Sequence, residues 1–149
     1  MRGLWLFVHL SGMTMWLGGG MASMISGVVA KKLAPAERLA VYKATGAVHR
    51  VLVRSGAIAV VLSGIFLMMP MLGALPSWVH MMATAGLLGA IVASALSVPT
   101  ASALGRLDLD PRGELPESFA RLRKRQAIVA TIAGALGILA LMAGTIFRG

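Results

Sequence analysis

A chain of 149 residues that is 58% hydrophobic and only 13% charged cannot cover a soluble globule with charge on every side. Its mean hydropathy of +0.84 points to a lipid solvent instead, and the absence of cysteine excludes disulfides, thiolate metal sites and cysteine nucleophiles. The net charge of +9 would suggest nucleic acid in a soluble protein, but here most of the charge lies in two short stretches and no nucleic-acid partner is expected.

Of the 14 Lys and Arg residues, six lie in 31–54 and six in 106–125, and all five acids lie in the same two stretches. This is the charge asymmetry that sets membrane topology, so both stretches are predicted to face the cytoplasm of a bacterial-type inner membrane. A bilayer core of about 30 Å needs roughly 20 apolar residues of helix. Residues 3–30 carry no charge and form the first predicted span. That run is too long for the apolar region of a cleaved signal. A cytoplasmic connection occupies about 31–50, and Pro35 followed by Glu37 marks a helix start inside it.

Residues 55–105 are again free of formal charge, too long a run for one span, and Pro70, Gly73 and Pro76 break it with a tight reversal. The second span is therefore predicted over about 51–69 and the third over about 77–98. A second cytoplasmic connection covers about 99–126, where the basic run after Leu115–Pro116 reads as a short helix on the inner membrane surface. The fourth span is predicted over 127–147. The expected fold is all-α: a single transmembrane domain, an up-down four-helix bundle with both termini outside. Small residues recur four apart (Gly19, Ser23 and Gly27; Ala85, Gly89 and Ala93; Ala130 and Gly134; Ala140 and Gly144), as in a tight bundle, a homo-oligomer or a subunit of a membrane complex.

Ionisable residues inside spans are functional candidates by default. His9 lies about 9 Å into the first helix at 1.5 Å per residue. His80 lies a few residues into the third, at similar depth, and in an up-down bundle these two helices are diagonal neighbours. Two imidazoles so placed are predicted to clamp a flat cofactor, haem b, as axial ligands. Arg2 and Arg148, both at the outer end, are expected to pair with its propionates. His49, beside Arg50, is expected at the cytoplasmic surface. Met68, Met69, Met81 and Met82 gather at the outer end with His9 and His80, and thioethers with imidazole select Cu(I), so copper is the alternative metal. No carboxylate lies within a predicted span, which leaves a proton relay through Asp or Glu without residues.

The first helix contains His9, Gly12, Trp16 and Gly19 in the arrangement H-x2-G-x3-W-x2-G. This resembles the first helix of the HemJ-type protoporphyrinogen oxidases and of the CopD-type copper-resistance membrane proteins, a superfamily of small four-helix membrane units. The resemblance implies a haem-ligating role for His9 and a redox activity, electron transfer or porphyrin oxidation. A CopD-like role would instead be copper handling, and a cofactor-free structural or assembly subunit is the third expectation. Trp78-Val79-His80-Met81-Met82 is similar to the family's W-L-H-x-K, with Met82 where the Lys would stand. That leaves His80 or Met82 as the second haem ligand and the catalytic residues undefined.

Overall fold

The computed structural model describes residues 1–147. Among them there is no strand, and four helices are long and apolar enough to cross a membrane: α1 (Arg2–Lys32), α2 (Pro35–Met71), α3 (Ser77–Leu104) and α4 (Ser118–Thr145). They run up and down. The links at 33–34 and 105–117 and the charged residues around them make up one end, here the basic end. The N-terminus, the link at 72–76 and the close of α4 make up the other, the terminal end.

The helices are longer at the basic end than the apolar runs suggested. α2 begins at Pro35, whose missing N–H costs nothing in a first turn, and Glu37 Oε2 accepts from the Ala34 backbone N–H at 3.2 Å. α3 continues past Pro99 to Leu104. A π-helical turn at Val92–Ser97 ends two residues before that proline. A second π turn, His49–Val53, lies in α2. The basic run at 121–125 is not a separate surface helix: α4 starts at Ser118 and carries those cations on its own first turns.

α1 packs along the apolar half of α2, and α3 along α4, while α1 and α4 meet less extensively. The α1–α2 crossing rests on Gly12 and Gly56. A Cβ on Gly56 would lie 2.6 Å from the Gly12 carbonyl oxygen and 2.7 Å from the Trp16 backbone nitrogen. Without side chains there, the two backbones touch, and dispersion between them replaces the hydrophobic force that lipid does not supply. Trp16 then projects through the centre, 2% exposed. It reaches Gly89 of α3 and Gly137 of α4, so one ring joins the two helix pairs.

A smaller core closes the basic end. Tyr42 and Phe119 meet edge to face with centroids 5.2 Å apart, over Ala30 and Leu104. Arg38 finishes α1: its guanidinium donates to the carbonyls of Ala30 (2.9 Å), Lys31 (2.6 Å) and Leu33 (3.1 Å). In the α3–α4 link, Asp110 Oδ1 accepts from the backbone N–H groups of Arg112 and Glu114, and Gly113 takes the φ of +79° that the turn requires. The outward faces are apolar: Leu4, Phe7, Ile25, Val28, Leu62 and Ile132 are all exposed. A belt of that extent is consistent with four helices long and apolar enough to cross a membrane.

Candidate functional site

At the terminal end the four helices enclose a partly open cavity of about 550 Å³. α1 contributes Arg2, His9 and Met13; α2 contributes Val60, Gly64 and Met68; α3 contributes Val79 and Met82; α4 contributes Ala140 and Gly144. The volume falls in the range of small-molecule and cofactor sites, roughly 300–1,000 Å³. The walls are mostly apolar, and Arg2 is the single charged side chain among the lining residues.

His9 is held from α2. Its Nδ1 lies 3.0 Å from the Val60 carbonyl oxygen and 3.0 Å from Ser63 Oγ. A carbonyl oxygen can only accept, so Nδ1 carries the proton. Ser63, fully buried, sends its own hydroxyl proton to the Ala59 carbonyl and accepts from His9. The ring is therefore the Nδ1–H tautomer, and among the described residues no group hydrogen-bonds Nε2. That is the arrangement of a ligating histidine, whose second nitrogen is fixed by a backbone acceptor. The neighbouring Gly64 leaves room for the ring, with His9 Cε1 3.4 Å from where its Cβ would be. Trp5 and Phe66 stack at 4.1 Å beside it and pin the α1–α2 pair at this end.

The structure does not bring His80 to this site. His80 is exposed and does not line the cavity. The inward face of α3 is Val79, Met82, Ala83 and Gly86, spaced at three, four and seven. At about 100° per residue His80 and Met82 lie on opposite sides of the helix, so only one of them can face the interior. Of the two expected ligands only His9 lines the cavity, together with Met82 and without His80. Of the other methionines, Met13, Met68 and Met71 line the cavity, while Met69 and Met81 are exposed and do not. Arg2 lies at the cavity; Arg148 falls outside the described residues. Among the described residues no group of three or more His, Cys, Asp or Glu is placed to hold a metal ion.

A second polar cluster was missed by sequence reasoning. His49, expected at the surface, is buried at 3% exposure where the α2 π turn begins. Its Nδ1–H donates to the Thr45 carbonyl at 3.0 Å, with Ser23 Oγ of α1 a further acceptor at 3.3 Å. Its Nε2 accepts from the Gln126 amide of α4 at 3.0 Å, and the same NH₂ donates to Ser97 Oγ of α3 at 2.9 Å. Among the described residues Gln126 Oε1 is buried without a partner. One histidine and one glutamine thereby tie all four helices together, with Ser97 at the end of the other π turn. The usable signal was Gln126 itself, an uncharged polar residue where the fourth apolar run begins.

Comparison of the chain with protein-family models, with curated proteins and with solved structures returns no match.

Proposed function

We propose that this chain is a haem b-binding membrane protein acting in electron transfer or in HemJ-like porphyrin oxidation. The observation that supports it is His9: Nδ1 is anchored on Val60 and Ser63, and the ring lines an apolar, cofactor-sized cavity shared by all four helices. Imidazole held in this tautomer presents Nε2 as an iron ligand. Met82, lining the same cavity, is the residue suited to the second axial position, and His80 has no part in the site. Arg2 supplies the cation for a propionate. Haem bound here would contribute one-electron redox chemistry; the chain contributes the ligands, the exclusion of water and the orientation. With the basic connections in the cytoplasm, the cavity belongs to the outer half of a bacterial inner membrane.

A copper-handling role is the second reading, and one observation favours it. Met13, Met68, Met71 and Met82 line the same cavity as His9, a soft donor set suited to Cu(I). Cavity size favours haem, because a bare ion needs converging donors and not an apolar space of about 550 Å³.

The test is the spectrum and metal content of the detergent-purified protein, with and without added haem. A Soret band lost in His9→Ala and kept in His80→Ala supports the proposal. Cu(I) binding with no Soret band, abolished by Met68→Leu with Met82→Leu, transfers the site to copper. A colourless, metal-free protein that copurifies with a partner would leave only the structural-subunit role.

A further inference from the structure

A second cavity of about 190 Å³ opens at the basic end, along the seam where α1 and α4 meet less extensively. Its two cations come from different helices, Lys31 at the end of α1 and Arg123 near the start of α4. No acid lines it, and among the described residues neither cation has an ion pair or hydrogen bond. Below the cations the α1 wall is Gly20, Ser23, Met24, Gly27 and Val28, with Met24 and Val28 exposed, and the inner lining includes His49 and Gln126 of the polar cluster. Ala127 and Ala130 form the facing wall on α4. From Gly20 to Lys31 this stripe runs about 16 Å along α1 at 1.5 Å per residue.

Two cations from different helices thus sit at the head of a mostly apolar trough. We propose that this seam binds one anionic phospholipid, its phosphate between Lys31 and Arg123 and an acyl chain along Gly20–Val28 and Ala127–Ala130. The charges complement the phosphate, and basic pockets between transmembrane helices recognise head groups in this way. The trough fits the chain because Gly20 leaves open space: a Cβ there meets nothing within 4 Å. The site shares no lining residue with the terminal-end cavity and does not depend on what that cavity binds.

Native mass spectrometry of the detergent-purified full chain, titrated separately with phosphatidylglycerol and phosphatidylcholine, tests this. Phosphatidylglycerol is expected to bind one per chain and more tightly than phosphatidylcholine. Lys31→Gln with Arg123→Gln should weaken it about 30-fold, from about 1 kcal/mol per cation. Arg106→Gln with Arg112→Gln, an equal charge change in the exposed link, should leave it within about threefold. Gly20→Phe, whose Cβ meets nothing within 4 Å and whose ring intrudes on the trough, should weaken the lipid and leave retention of inorganic phosphate unchanged. Equal losses in the two double variants would show diffuse attraction and overturn the site. Equal binding of the two lipids would do the same, as would displacement of phosphatidylglycerol by millimolar inorganic phosphate with Gly20→Phe inert, which would mark a soluble-anion site.

Discussion

Ser63 Oγ lies 3.0 Å from His9 Nδ1, although 54 positions separate them in the chain. The Val60 carbonyl sets the proton on Nδ1, and Ser63 adds a second acceptor. Ser63 gives its proton to its own helix and so meets the imidazole as an acceptor, which keeps the proton on Nδ1 and Nε2 free of it. Ser63→Ala is therefore expected to weaken haem binding by about 10- to 100-fold, as for other supporting groups behind a metal ligand, while the bundle stays folded. Haem titration followed at the Soret band checks this. Unchanged affinity would mean that the Val60 carbonyl is sufficient.

Met82 faces the cavity and His80 faces away, so the two substitutions should separate cleanly. Met82→Ala is expected to turn a six-coordinate haem spectrum into a five-coordinate one. Met82→His should restore six-coordination at a lower reduction potential, because a thioether ligand raises the potential relative to imidazole. His80→Ala should change neither. A spectrum that responds to His80 and ignores Met82 would reverse the assignment.

Trp16 and Gly89 form a matched pair. A Cβ on Gly89 would stand 2.8 Å from the Trp16 ring, with Leu136 also 3.1 Å away. Gly89→Ala should cost about 1–3 kcal/mol through overpacking. Trp16→Ala should cost about 3–5 kcal/mol through the void it leaves between the helix pairs. The double variant Gly89→Ala, Trp16→Phe should be more stable than the sum of its parts, since the smaller ring withdraws from the new methyl group. Unfolding in mixed detergent micelles measures all of these, and strict additivity would contradict the contact.

The native chain contains no cysteine, so single-cysteine variants report topology without background. Lys43→Cys and Arg112→Cys, both at the basic end, should be labelled by an impermeant thiol reagent from one side of the membrane only. Gly73→Cys, whose neighbourhood is open, should be labelled from the other. Labelling of all three from one face would refute four crossings.

Much of this architecture was legible residue by residue. The number of spans, the reversal at Pro70–Pro76 and the two basic links follow from local quantities, apolar length and charge, to which a bilayer responds directly. The H-x2-G-x3-W-x2-G spacing was also legible, and each of its members has a physical place. His9 lines the cavity, Gly12 crosses Gly56, Trp16 fills the centre and Gly19 abuts Val53. Pro35 and Glu37 marked the start of α2, but the basic ends of α3 and α4 were less legible, because both helices extend beyond the predicted apolar runs.

The sequence by itself determined the scaffold: four long apolar helices, their order, their up-and-down direction and His9 as the leading ligand candidate. Only the tertiary structure decided which side of each helix faces inward, and with it the exchange of His80 for Met82, the anchoring of His9 by Ser63 and the burial of His49 against Gln126. The reason is the solvent. A helix in water shows its inward face by being apolar on one side, but a helix in lipid is apolar on every side, so its rotation is set by close packing at Gly12, Gly56, Gly89 and Gly137.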